Sequence, residues 1–267
     1  MLLNIYGEYY YNNKISIIII YMEIENDYDL NVLPVITDNK GTKLKYPIHS
    51  HMPNLSKSFV LGMVAPRGSG KGVLITNLLL NPNFLNRENY DNAFIISPTI
   101  YNDRTAAHLR ENFKGSLFDK YDDTIIRDII QYQQSFNDED KPKTILVCDD
   151  LVGFKTPQLD FLSTRSRHNN ISMITSVQQC KAIKKVMRNN LTDVILFRTK
   201  NKKEFQDIYD EWGALYGSFD EFKKMYDFAT KEKYNFLYLK LDENPVQALH
   251  NFTENITNKF NNVNEEY

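Results

Sequence analysis

Hydrophobic residues fall into short, nearly continuous runs from residue 57 onward, and longer polar stretches with helical character separate them. The runs are rich in β-branched residues and cover 59–65, 93–97, 144–149, 171–177 and 194–197. Such unbroken runs are typical of strands that are buried on both faces. Because strands alternate with helical stretches, the pattern predicts an α/β fold with a mainly parallel sheet and helices on both faces.

The two ends of the chain have weaker patterns. We expect residues 1–56 to form an N-terminal extension with one or two strands, residues 57–250 to form the main domain, and the Asn- and Glu-rich residues 251–267 to form a flexible tail. Residues 201–230 carry a helical pattern, and residues 236–241 alternate as an edge strand would. The apolar run 15–21 is shorter than the roughly 20 residues of a membrane-spanning helix, so no membrane span is expected.

Composition narrows the range of partners and compartments. The 267 residues have a formal net charge of −2, so any contact with nucleic acid requires a local basic patch. Cys148 and Cys180 are far apart and form no CxxC pair, which favours buried thiols in a reducing compartment. We therefore expect an intracellular protein that is not secreted.

A glycine-rich segment follows the first strand and resembles the phosphate-binding P-loop, G-x-x-x-x-G-K-[ST]. Gly68 and Gly70 suit a turn whose backbone N–H groups face phosphate, and Lys71 supplies the positive charge. Alanine replaces the first glycine, and Gly72 replaces the hydroxyl residue that normally holds Mg²⁺. Either water fills that coordination position or nucleotide binds with poor turnover. The predicted phosphate-binding residues are Pro66, Arg67, Gly68, Ser69, Gly70, Lys71 and Gly72.

Two later strands end in polar side chains that suit ATP hydrolysis. The strand 144–149 ends in Asp149, a candidate Mg²⁺ ligand, followed by Asp150, a candidate base for the attacking water. The strand 171–177 is followed by Gln178, which can orient that water or sense the γ-phosphate, and Gln179 is an equally close candidate. This order of strands is typical of additional-strand P-loop ATPases.

Monophosphate kinases such as adenylate kinase are a competing interpretation, because they also carry G-S-G-K-G at this point. They lack the Asp-Asp strand and the Gln strand in this order. They also need an arginine-rich lid, and residues 100–140 contain no dense arginine cluster.

Basic residues flank the Gln strand on both sides. Arg165 and Arg167 precede it, and a predicted helix after it carries Lys181, Lys184, Lys185 and Arg188. These residues suit an arginine finger reaching a neighbouring subunit, a track for DNA phosphates, or merely solvated helix faces.

The motifs together resemble the genome-packaging ATPases of large eukaryotic DNA viruses and virophages, within the FtsK–HerA superclass. The matching segments are PRGSGKG, AFIISPT, TILVCDDL, TRSRHNNISMITSVQQ, and RNN followed by VILFR, and they cover about residues 57–200. Ala65, Gly72 and Asp150 depart from the usual pattern.

The resemblance implies a homo-oligomeric ring that uses ATP and Mg²⁺ to drive double-stranded DNA into a preformed capsid. It implies contacts with capsid or portal-like proteins, in the virion or in a cytoplasmic viral factory. By the same analogy Lys71 binds phosphate, Asp149 and Asp150 serve metal and water, Gln178 is the sensor, and Arg167 or Arg188 is the finger. The alternatives are a cellular-type translocase or helicase, a nucleoside monophosphate kinase, and a non-catalytic nucleotide-dependent assembly protein.

Overall fold

Nine strands form one sheet in the computed structural model, which describes residues 49–260 except 56, 139 and 152. The strands are β1 (Val60–Val64), β2 (Asn92–Ile96), β3 (Leu117–Phe118), β4 (Thr144–Asp149), β5 (Ile171–Val177), β6 (Asp193–Phe197), β7 (Phe236–Lys240), β8 (Gln247–His250) and β9 (Glu254–Asn255). Their order across the sheet is β3-β2-β4-β5-β1-β6-β7-β8-β9. Neighbours from β3 to β6 are parallel, and those from β6 to β9 are antiparallel.

Helices cover both faces of the sheet, which confirms the predicted α/β architecture. They are α1 (Lys71–Leu80), α2 (Ala107–Asn112), α3 (Asp123–Gln134), α4 (Pro157–Arg165), α5 (Lys185–Arg188), α6 (Lys202–Glu211) and α7 (Phe219–Ala229). Apolar side chains of α1 and α2 pack on one face, and those of α3 to α7 pack on the other. The five predicted buried strands therefore have apolar neighbours on both sides, as their unbroken hydrophobic runs require.

The strand β5 lies between β1 and β4, which is the arrangement of additional-strand ATPases. Val177 pairs with Val64 of β1, and Ser176 pairs with Asp149 of β4. The carboxyl ends of these three parallel strands therefore lie side by side. In open α/β sheets, ligands bind at this edge.

The C-terminal part of the sheet differs from the prediction. β7 is not an edge strand, because it pairs with β6 on one side and β8 on the other, and all five of its residues are buried. Residues 251–260, assigned to a flexible tail from the sequence, pack on the sheet: β9 pairs with β8, and Phe252 and Ile256 are buried. Two-residue strands in a polar segment leave no hydrophobic period to detect.

Other segments show how local pattern and tertiary packing combine. The helical pattern of 201–230 is confirmed by α6 and α7, and a capping box between Ser218 and Glu221 starts α7. The helix predicted for 181–188 is instead a 3₁₀ turn, Cys180–Ala182, followed by the single turn α5.

Residues 1–48 of the N-terminal extension, with its predicted strands, and residues 261–267 of the tail lie outside the described residues. Within residues 49–260, no helix is long and apolar enough to cross a membrane.

Both cysteines are buried free thiols, as the sequence predicted. Burial raises the pKa of the Cys148 thiol well above its usual range and raises the pKa of Cys180 to about 12. The protonated thiols are therefore poor nucleophiles and poor metal ligands, and their role is packing.

Candidate functional site

The glycine-rich segment forms a tight connection between β1 and α1. Gly68 and Gly70 have positive φ values of 78° and 93°, which residues with a Cβ rarely adopt. No side chain caps the N-terminus of α1, and its first turn contains no acidic residue. The backbone N–H groups at this end of the helix therefore remain available to an anion such as phosphate.

Lys71 contacts both acids at the end of β4. Its Nζ lies 3.0 Å from Oδ1 of Asp149 and 3.7 Å from Oδ2 of Asp150, and all three side chains are mostly shielded from solvent. The structure thus brings together the predicted phosphate-binding lysine, the predicted metal ligand and the predicted base. These three residues lie at the carboxyl edge of the parallel strands, as their positions in the sequence predicted.

Two serine hydroxyls hold the Asp149 carboxylate, and the sequence analysis missed both. Ser97 Oγ, just after β2, donates to Oδ2 at 3.1 Å, and Ser176 Oγ of β5 donates to Oδ1. The available signal was a small polar residue at the end of each neighbouring apolar strand. With both oxygens engaged, the carboxylate has a defined orientation, as ligating carboxylates generally have.

Asp150 sits just past β4 in a left-handed conformation, with φ of 57°. Aspartate tolerates this region better than most residues, and such outliers cluster at functional sites. Gln178 Nε2 donates to both carboxylate oxygens of Asp150, at 3.3 Å each. The structure therefore places Gln178 beside the predicted base. Gln179 instead starts the 3₁₀ turn that follows.

The donor set at this edge suits Mg²⁺ only together with phosphate oxygens. Among the described residues, no group of three His, Cys, Asp or Glu side chains forms a protein-only metal site. Mg²⁺ commonly binds one or two carboxylates plus substrate phosphates and water. Asp149, oriented by its two serines and next to the phosphate loop, fits that requirement.

The two candidate finger arginines lie away from this edge. Arg167 precedes β5, and its Nη2 donates to Asp242 Oδ2 at 2.8 Å. β5 has seven residues and so spans about 20 Å, which separates Arg167 from the phosphate loop of its own chain. Arg188 is largely buried, with its guanidinium on Glu211 and on the carbonyl of Ile183. Neither arginine reaches the site that its own chain forms.

The basic residues after β5 do not form the continuous basic helix that the sequence predicted. Lys181 pairs with Asp207 at 2.5 Å, and Lys184 pairs with Asp160 at 2.6 Å. Arg188 pairs with Glu211, so three of the four basic residues predicted to lie on this helix are neutralised by carboxylates of the same chain. This segment offers less free positive charge to a DNA backbone than its sequence indicates.

A phosphate loop, a lysine paired with two strand-end acids, a glutamine on the inserted strand and the strand order together define an additional-strand P-loop NTPase. The chain belongs to the poxvirus A32 protein family, whose family model matches residues 50–210, more than half of its length. This match confirms the resemblance to viral packaging ATPases that the motifs indicated.

Comparisons of whole sequences give relatives in two invertebrate iridescent viruses. The chain is 25% identical over 228 residues to protein 088R of invertebrate iridescent virus 3, covering 82% of this chain and 81% of that protein. It is 28% identical over 192 residues to protein 075L of invertebrate iridescent virus 6, covering 69% of this chain and 70% of that protein. Both relatives are described as uncharacterized, so they add no role.

Solved structures share the fold. The genome packaging NTPase B204 from Sulfolobus turreted icosahedral virus 2, in complex with AMP, matches with a TM-score of 0.54 and 17% identity, covering 73% of this chain and 98% of that chain. The same protein in complex with ATP-gammaS matches with a TM-score of 0.52 and 19% identity. At these identities the likeness establishes the P-loop NTPase fold.

Proposed function

We propose that this chain is an ATPase that couples hydrolysis to the movement of double-stranded viral DNA into a preformed capsid. The observation that carries the proposal is the joint placement of Lys71, Asp149, Asp150 and Gln178 at the carboxyl edge of an additional-strand sheet. Membership in the poxvirus A32 family and the shared fold with a viral genome packaging NTPase support the choice of packaging. We place the activity in the virion or in the cytoplasmic viral factory.

Each residue has a role that follows from its position. The ammonium group of Lys71 and the N–H groups of residues 68–72 would bind the phosphates, and Asp149, oriented by its two serines, would hold Mg²⁺. When bound, Mg²⁺ neutralises charge on the β- and γ-phosphate oxygens. Asp150 accepts the proton of the attacking water, and Gln178, which contacts that carboxylate, positions the same water.

Assembly into a homo-oligomeric ring would complete the site. Arg167 is exposed and lies at the opposite edge of the sheet from the phosphate loop, so it can serve only a neighbouring subunit's nucleotide. An arginine finger contributes about 10³–10⁵ in rate where it operates. Arg188 is committed to Glu211 within the chain, so we assign the finger to Arg167. Capsid or portal-like proteins would be the docking partners of the ring.

Three other functions are alternatives to packaging. A monophosphate kinase shares the G-S-G-K-G loop, but the inserted strand β5 and the contact between Gln178 and Asp150 favour hydrolysis by water. A translocase or helicase of the same superclass would use the same hydrolytic site and differ in its DNA substrate. A purely structural assembly role would require nucleotide binding without turnover.

The test measures phosphate release from ATP with Mg²⁺, in parallel with double-stranded DNA, single-stranded DNA and AMP. We expect hydrolysis that double-stranded DNA stimulates, and no formation of ADP from AMP. Asp150→Asn is the matched control, because it keeps the shape of the side chain and removes the base. Transfer of phosphate to AMP, or equal hydrolysis by Asp150→Asn, would contradict the proposal, and strand separation by a displacement assay would favour a helicase.

A further inference from the structure

The position of the missing P-loop hydroxyl is filled by another part of the chain. A Cβ built on Gly72 would lie 2.6 Å from Oγ1 of Thr105 and 3.2 Å from Oδ2 of Asp103. Real Cβ atoms essentially never approach another heavy atom to 2.6 Å. The Thr105 hydroxyl therefore stands within the space that the side chain of a serine or threonine at residue 72 would occupy.

This hydroxyl has a defined position. Thr105 donates from its backbone N and from Oγ1 to Oδ1 of Asp103, at 2.8 and 2.7 Å. Arg110 holds the same turn by donating to the carbonyl of Asp103 at 2.8 Å. Thr76 Oγ1 donates to the Gly72 carbonyl at 2.9 Å and lies 3.5 Å from the Thr105 carbonyl, which fastens the turn to α1.

The segment that carries Thr105 also reaches the predicted metal ligand. It follows β2 and begins at Ser97, whose hydroxyl donates to Asp149 and lies 3.3 Å from Thr99 Oγ1. Residues 97–105 thus connect the Asp149 carboxylate at one end with the first turn of α1 at the other. In P-loop NTPases, Mg²⁺ lies between the hydroxyl residue of the loop and the acid of the Asp149 type.

We propose that Thr105 supplies, from the β2–α2 connection, the Mg²⁺-facing hydroxyl that Gly72 lacks, with Asp103 orienting it. The inference rests on the proposed function, because it concerns the metal of that nucleotide site. Thr105 Oγ1 gives its proton to Asp103 and keeps its lone pairs for a cation. Its side chain is exposed, so a metal held by nucleotide phosphates and Asp149 can reach it. Gly72 is then required, since a side chain there would collide with the substitute.

The test exchanges the hydroxyl between the two positions. Thr105→Ala removes it, and the double variant Gly72→Ser with Thr105→Ala returns a hydroxyl to residue 72. Once Oγ1 is gone, the Cβ of residue 105 lies 3.8 Å from the new Cβ, which is an ordinary contact, and the Asp103 side chain, with Oδ2 at 3.2 Å, has to shift by a few tenths of an ångström. Thr105→Ser is the conservative control. The readout is the dissociation constant of Mn²⁺ in the complex with AMPPCP, measured by electron paramagnetic resonance, which needs no turnover.

We expect Thr105→Ala to weaken Mn²⁺ binding about tenfold, and we expect both the double variant and Thr105→Ser to restore it. Unchanged Mn²⁺ binding in Thr105→Ala would overturn the inference, and so would a double variant as weak as Thr105→Ala. AMPPCP binding by the unaltered chain in the presence of Mg²⁺ serves as the separate check on the proposed function. If the unaltered chain binds no AMPPCP, the proposed function itself is wrong. If it binds AMPPCP but Thr105→Ala leaves the affinity for Mn²⁺ unchanged, only the inference about Thr105 is refuted.

Discussion

Asp193 should make the stability of this fold fall as the pH rises from about 4 to 6. The residue opens β6, is 4% exposed, and accepts hydrogen bonds from Tyr238 at 2.5 Å and Thr192 at 2.6 Å. Burial raises the pKa of its carboxyl from 3.8 to about 6, against the lowering effect of those two hydroxyls and of Lys240. Between these values the folded chain binds the proton more tightly than the unfolded chain does.

The magnitude follows from the shift in pKa. Two pKa units correspond to about 3 kcal/mol of unfolding free energy, which this group contributes below pH 4 and loses by about pH 7. Asp193→Asn keeps the shape of the side chain and stays neutral at every pH. Its amide can donate hydrogen bonds to the hydroxyls of Thr192 and Tyr238, which can accept as well as donate. The stability of this variant relative to the unaltered chain should therefore rise by about 3 kcal/mol between pH 4 and 7.

The assay is urea unfolding at a series of pH values, followed by the fluorescence of the single tryptophan, Trp212, which is buried in the same core cluster as side chains of α7. Tyr238→Phe is the matched variant, because it removes a hydrogen bond that lowers the pKa of Asp193, so the total loss of stability with rising pH should be larger and extend to higher pH. If Asp193→Asn and the unaltered chain show parallel pH profiles, the carboxyl does not titrate as its burial requires.

Three further outcomes test the site itself. Lys71→Ala should abolish nucleotide binding in a titration with an ATP analogue. Asp150→Asn should bind the analogue normally and hydrolyse ATP at least ~100-fold more slowly. Equal loss of nucleotide binding in both variants would contradict this division of roles. Arg167→Ala should be inactive alone and regain phosphate release when mixed with Lys71→Ala subunits, and no rescue at any ratio would remove the finger in trans. Gly70→Ala should weaken nucleotide binding and cost about 1–2 kcal/mol of stability, because its φ is 93° and the new Cβ would lie 2.9 Å from the Tyr234 ring; unchanged binding would show that the loop tolerates a different backbone.

The central strands were predictable because burial on both faces leaves an unbroken apolar run in the sequence. β4 and β5 have the predicted bounds, and β1, β2 and β6 differ by a residue at one or both ends. The short strands β3 and β9 each have two residues and were missed, because pairing to a neighbour rather than hydrophobicity defines them. Residues 251–260 show the same limit, since their burial depends on contacts with β8.

The site was predictable to the extent that its residues belong to local motifs. Lys71, Asp149 and Asp150 follow from the order of strand, loop and helix, and the structure brings them together. Ser97 and Ser176 support Asp149 from other strands, so their role depends on sheet register, which single strands do not reveal. Arg188 suggested a finger by position, but its burial against Glu211 depends on the docking of α6.

The ion pairs of Lys71 with Asp149 and Asp150 make nucleotide entry an exchange of counterions. A phosphate group that pairs with the Lys71 ammonium leaves the carboxylates of Asp149 and Asp150 without their cation and close to new negative charge. All three side chains are mostly shielded from solvent, so this repulsion is weakly screened. A divalent cation arriving with the nucleotide replaces the lost positive charge, so each ligand raises the affinity for the other. Such coupling is reciprocal by thermodynamic necessity. If the chain has the proposed function, its site therefore binds the metal–nucleotide complex more tightly than either component alone.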